Sequence, residues 1–161
     1  MKLQELFVMQ EELDRFIQKN RGVQEDLFRK KGLALLVELG ELANETRCFK
    51  FWSTKEASTR EVILEEYVDS IHFLLSLGIE KDLNMLEEWP DRVSETDLTE
   101  LFIGTQRQIL EFLEDYSASN FHDVWSWYGG IAHALGFTYD EILEAYIAKN
   151  KTNYERQNEG Y

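Results

Sequence analysis

Glu38 and Glu41 stand three residues apart in VELGELANE, and Glu66 and Asp69 stand three apart in ILEEYVDSIHF. Residues at i and i+3 share a face of an α-helix. Each stretch would therefore aim an acidic pair in one direction, with Glu45 one turn beyond the first pair and His72 one turn beyond the second. Glu66 follows Glu38 by 28 residues, as Asp69 follows Glu41, and the intervening stretch lets two helices run antiparallel side by side. If the faces meet, four carboxylates converge among Leu35, Leu39, Leu42, Val62 and Ile63. Like charges in such a setting either protonate or draw in a cation. Hard oxygen donors suit Mg²⁺ or Mn²⁺, and magnesium keeps waters and phosphate oxygens in its shell. A single acidic pair is more often the wet stripe of an amphipathic helix; two matched pairs on neighbouring helices favour the metal.

A second constellation lies in AKNKTNYERQNEGY, where Lys149, Asn153 and Arg156 fall at i, i+4 and i+7 on one helical stripe, with Asn150 and Gln157 on its flank. Residues 149–161 hold three basic and two acidic residues in a chain of net charge −14. Such a stripe suits phosphate oxygens: Arg as a planar fork, Lys as a point charge, Asn as a neutral donor. Equally, it is a solubilising helix end whose cations complement the macrodipole.

The elements that must position these residues are helices. The chain has 161 residues, enough for one domain with its own core, and 43% hydrophobic with a single proline, Pro90, it permits uninterrupted helices. Seventeen basic against 31 acidic residues oppose attraction to a nucleic-acid polymer or an anionic membrane. The lone Cys48 excludes an internal disulfide and a cysteine-based zinc site. No apolar run reaches the roughly 18 residues of a membrane span, and acids come too early for a signal peptide. A soluble, cytoplasmic protein is expected.

Leu3, Leu6, Phe7, Leu13, Phe16 and Ile17 recur at helical spacing and predict a first helix over 2–19, stopped by Asn20 and Gly22. A second should start between Val23 and Asp26 and run to Phe49, weakened at Gly32. After the STKEAS loop, Ser58-Thr59-Arg60-Glu61 has capping-box spacing, with Ser58 as N-cap, and opens a third helix that Gly78 ends. Residues 81–96 read as a connecting excursion with room for a helical turn. A fourth helix spans 96–116, and a fifth starts at Asn120, with Gly129-Gly130 as a possible bend. Thr138-Tyr139-Asp140-Glu141 is a second capping box opening the last helix. The expected fold is all-α, an antiparallel bundle of five to six helices in a single domain, 1–161. Trp125, Trp127 and Tyr128 fall to the core or to a dimer interface.

Glu38-x-x-Glu41, Glu66-x-x-Asp69 and Lys149-x-x-x-Asn153-x-x-Arg156-Gln157, ending in Gly160-Tyr161, together resemble the dimeric, all-α dUTPase family. That family lies within the MazG-like nucleoside triphosphate pyrophosphohydrolase superfamily, and the resemblance spans nearly the whole chain. It implies a homodimeric enzyme that hydrolyses dUTP, and dUDP as well, to dUMP, with Mg²⁺ as cofactor. By motif, Glu38, Glu41, Glu66 and Asp69 would hold the metal, and one of Glu38 and Glu41 would orient or deprotonate the attacking water. Lys149, Asn153 and Arg156 would grip phosphates. Gln10-Glu11-Glu12-Leu13-Asp14 matches the helix-one motif, a Gln followed by Leu and Asn in relatives, and places Gln10 near the uracil or deoxyribose. Asp14 departs from the amide of that pattern. Trp52, in CFKFWS, stands where the family puts a base-facing aromatic, or else caps the core; His72 faces the nucleoside, or is a satisfied structural histidine. A triphosphate of about −4 meeting four carboxylates would be repelled, so two or more Mg²⁺ ions, or Mn²⁺ in their place, should arrive with the substrate.

Three alternatives remain at this point. The metal motif is common to the superfamily, so dCTP or a broader set of triphosphates is one. A di-iron bundle needs Glu-x-x-His on two helices, and only Asp69-x-x-His72 comes near it. A helical interaction protein would keep all these acids on its surface.

Overall fold

The computed structural model describes residues 2–22 and 25–160. Six α-helices follow in order: α1 (Gln4–Arg21), α2 (Phe28–Thr46), α3 (Arg60–Glu80), α4 (Leu98–Glu114), α5 (Ala118–Leu135) and α6 (Tyr139–Asn158). Among the described residues there is no strand, only an isolated bridge between Lys2 and Glu88. No helix among them is long and apolar enough to cross a membrane.

Local chemistry explains most helix ends. Gly22 closes α1 in the left-handed region at φ 64°, which costs a residue without Cβ nothing. Thr138 and Glu141 form the reciprocal capping box that opens α6. Several ends differ from expectation. The predicted start of the second helix falls partly on Val23 and Gln24, outside the described residues; the helix itself begins at Phe28. It stops at Thr46 rather than Phe49, because Arg47 turns left-handed and its side chain bonds to Ser53 Oγ and the Lys55 carbonyl. The N-cap of α3 is Thr59, not Ser58, whose hydroxyl is drawn away to the Glu45 carboxylate. With Ser117 as its cap, α5 starts at Ala118, two residues before the expected Asn120, and Gly129-Gly130 lie inside that helix without interrupting it.

Gly78 does not end α3, which continues to Glu80. It serves packing instead: a Cβ there would meet Phe121 Cζ at 2.4 Å, so the glycine lets α5 come close. Residues 81–96 contain no helix, only hydrogen-bonded turns at 81–82 and 84–85. They are pinned by the buried Trp89, whose Nε1 donates to the Trp125 carbonyl at 2.9 Å.

α2 and α3 are antiparallel. Lys31 near the start of α2 pairs with Glu80 at the end of α3 at 2.6 Å, while Glu45 near the end of α2 meets Ser58 just before α3. α1 and α6 both pack against α3 and on each other, and α4 and α5 pair, with α4 also against α2. The core runs through all six helices, from Leu6 and Phe7 to Ile142 and Tyr146, with Trp125 and Tyr128 fully enclosed.

Candidate active site

Four helices wall one cleft of about 330 Å³: α1 supplies Gln10 and Asp14, α2 Lys31 and Glu38, α3 Asp69, His72 and Ser76, and α6 Lys149, Asn153 and Arg156. The sets repeat at three, four or, in α2, seven residues, so one stripe of each helix faces the same space. The i, i+4, i+7 stripe of the carboxy-terminal helix thus opposes the carboxylates.

At one end of the cleft, ligand atoms of Glu38, Glu66 and Asp69 lie within 4.8 Å of one another. In an antiparallel helix pair, facing residues share a constant sum of positions. Glu38 therefore stands opposite Asp69, and both border the cleft. Glu41 stands opposite Glu66, and these two line a shallower neighbouring concavity with Glu45. The equal 28-residue separations are a by-product of the two i, i+3 pairs, not the facing partners. Glu41 is exposed and outside the close trio.

Glu38 Oε2 and Glu66 Oε2 are buried without a hydrogen-bond partner among the described residues. Burial, then the charges of Asp69 and Glu41, push the Glu38 carboxyl up to about 8. Glu66 is pushed up to about 7 by burial and the same two neighbours. Burial also raises Asp69, opposed by Lys149 and Arg156. Buried acid oxygens that lack donors and repel one another match what a hard divalent cation requires of its ligands. These three residues could hold one, with Glu41 at the edge.

Lys149 is in direct contact with the acids of α3: its Nζ lies 3.0 Å from Glu65 Oε1 and 3.1 Å from Asp69 Oδ1. Asn153 and Arg156 border the cleft one and two turns further along α6, whereas Asn150 does not border it.

The opposite end of the cleft is a buried polar chain. Gln10 Nε2 donates to Asp14 Oδ1 at 2.9 Å, and Ser76 Oγ donates to Asp14 Oδ2 at 2.7 Å. With its amide nitrogen committed to Asp14, Gln10 turns Oε1 toward the Tyr146 hydroxyl at 2.8 Å and His72 Nδ1 at 2.7 Å. Both must donate, which fixes His72 as the neutral Nδ1–H tautomer. Its ring stacks on Tyr146 at 4.2 Å, and its Nε2 has no hydrogen-bond partner among the described residues. Burial, and then the Lys149 charge, push the imidazole down to about 3.

Trp52 is not brought to this cleft, nor does it cap the core. It lies 64% exposed in the loop after α2, edge-on to Phe49 and Phe51. Lys31, Phe73 and Ser76 border the cleft without having been singled out by spacing. A signal existed for two of them: Ser76 lies one turn past His72, and Lys31 two turns before Glu38.

The fold is an all-α bundle that sets an acidic trio able to hold a cation against a cationic stripe. A family model described as dUTPase matches residues 2–161, nearly the whole chain, and the chain belongs to that family. It is accordingly an enzyme, a dUTP diphosphatase acting on a nucleotide substrate. A comparison with curated proteins gave no match.

Proposed function

We propose that the chain hydrolyses dUTP to dUMP and pyrophosphate, and dUDP to dUMP and phosphate, in the cleft between α1, α2, α3 and α6, with two or more Mg²⁺ ions as cofactor and Mn²⁺ able to replace them. The observation that carries this reading is the approach of Glu38, Glu66 and Asp69 to within 4.8 Å at a cleft whose facing wall holds Lys149, Asn153 and Arg156. Glu38, Glu41, Glu66 and Asp69 are the proposed metal ligands. When bound, such ions supply charge neutralisation for the polyphosphate and activation of water. Lys149 and Arg156 grip phosphate oxygens as charge-assisted donors, and Asn153 adds a neutral one. One of Glu38 and Glu41 orients the attacking water or accepts its proton. Gln10, Asp14 and His72 form the wall for deoxyuridine; Trp52 has no role within a single chain's cleft.

We further infer one domain, 1–161, supported by a core shared among all six helices, and a cytoplasmic setting, supported by the single cysteine. A homodimer is proposed because Leu33 and Val37 on α2 and Phe51 and Trp52 beyond it are exposed apolar side chains that a second copy would cover. Light scattering in solution tests that state.

The deciding experiment is turnover of dUTP, dTTP, dCTP and UTP with Mg²⁺ and with EDTA, products identified by chromatography. The expected outcome is dUMP and pyrophosphate from dUTP alone, abolished by EDTA. Equal rates for all four nucleotides would overturn the base assignment, and turnover in EDTA would overturn the metal.

A further inference from the structure

Lys149 carries more contacts than a waiting phosphate ligand needs. Its side chain is only 12% exposed and sits between two acids on α3, Glu65 and Asp69. Its aligned hydrogen bond goes to Glu65 at 3.0 Å. Asp69 Oδ1, 3.1 Å away, receives the charge but no well-directed hydrogen bond. An ammonium has three N–H donors, and with only Glu65 taking a well-directed one, donors remain for further oxygens. Burial works against the charge on Lys149, and the two acids more than offset it, holding the ammonium above its ordinary range. Glu65 lies outside both i, i+3 acidic pairs and does not border the cleft.

Taking the cleft as the metal-dependent nucleotide site proposed above, we infer that Lys149 is an exchangeable counter-ion and Glu65 its positioning residue. In the metal-free protein Lys149 balances the acid trio through Asp69. When Asp69 turns to a divalent ion, Glu65 keeps the ammonium at the cleft, and its remaining donors go to phosphate. Metal and lysine therefore compete for Asp69, and Glu65 decides how easily the lysine yields.

Mn²⁺ binding without nucleotide, followed by electron paramagnetic resonance, tests this on the full chain. Lys149→Met should bind Mn²⁺ about fivefold more tightly than the parent, while Lys151→Met, which removes an equal charge from an exposed position of the same helix, should change binding less than about twofold. Glu65→Gln should weaken Mn²⁺ binding at least about threefold more in the parent than in the Lys149→Met background, the non-additivity of a residue acting through another. With dUTP, Glu65→Gln should raise KM with kcat held within about twofold, and Glu65→Asp should restore KM. Thermal melts with and without Mn²⁺ establish that each variant is folded. Unchanged or weaker Mn²⁺ binding in Lys149→Met, or equal effects of Glu65→Gln in both backgrounds, would overturn the inference. A protein that hydrolyses no dUTP but gives the Mn²⁺ pattern defeats the proposed function alone; a dUTP hydrolase whose Mn²⁺ affinity ignores Lys149 defeats this inference alone.

Discussion

Gln10 on the first helix and Tyr146 on the last, 136 positions apart, meet through a 2.8 Å hydrogen bond from the tyrosine hydroxyl to the amide oxygen. That contact ties the two ends of the fold together at the cleft and sets the direction of the Gln10 amide. Tyr146→Phe keeps the ring stacked on His72 and removes one buried hydrogen bond, so a loss of about 1 kcal/mol in urea unfolding is expected. Gln10→Leu should cost more, about 3 kcal/mol, because Asp14, His72 and Tyr146 all lose a partner inside the protein. Equal costs for the two variants would mean that the chain of bonds is not continuous.

His72 should remain neutral wherever the enzyme works. Its imidazole is pushed down to about 3 by burial, and Gln10 Oε1 needs a proton on Nδ1. Nitrogen-15 spectra of the histidine rings should report an Nδ1–H tautomer that does not titrate between about pH 5 and 8. Protonation near pH 6 would contradict the geometry.

The acid trio makes metal-free stability depend on pH in a definite sense. Glu38 and Glu66 release protons at about 8 and about 7 in the fold, against an ordinary value of 4.5. Between those values the folded chain holds protons that the unfolded chain has lost, so stability falls as pH rises and levels off above about 8. His72 works oppositely but only below about 6.5, where its unfolded form gains a proton. From about pH 6.5 to 8.5 the acids alone set the slope. Calorimetry of EDTA-treated protein should show a falling Tm over that window, and Mg²⁺ should raise Tm most at its alkaline end. A flat profile would mean that the carboxylates are solvated.

Removal of single carboxylates should separate charge repulsion from catalysis. Glu38→Gln and Asp69→Asn should each lower dUTP turnover by more than about a hundredfold while the helical circular dichroism is kept. Metal-free Glu38→Gln should also melt higher than the parent above about pH 7, since it relieves repulsion in the trio. Glu41→Gln, at an exposed position outside that trio, should lose less activity than Glu38→Gln. The reverse order would assign the principal role to Glu41.

Period and capping made the helices legible. The spacing of Leu6, Leu13 and Ile17, the Gly22 stop and the Thr138 capping box all act within a few residues of chain, where sequence is informative. The misplacements have tertiary causes. Ser58 is drawn off its cap by Glu45, and Gly78 is spent on a ring of α5 rather than on a helix end. The same division holds at the cleft. Each acidic pair and the Lys149 stripe could be read from one helix at a time, yet which acid faces which depends on antiparallel register. Trp52 read as base-facing or core, and neither describes an aromatic left outward in its loop. Lys31 and Ser76 gain significance only once α1 and α6 close over α2 and α3.

The three clustered acids come from α2 and α3, whereas the tyrosine that seats Gln10 and the lysine that answers Asp69 both come from α6. Packing of that one helix supplies both at once. The five preceding helices thus hold the acids without this counter-charge, and the cleft has all its walls only where this twenty-residue helix packs against them.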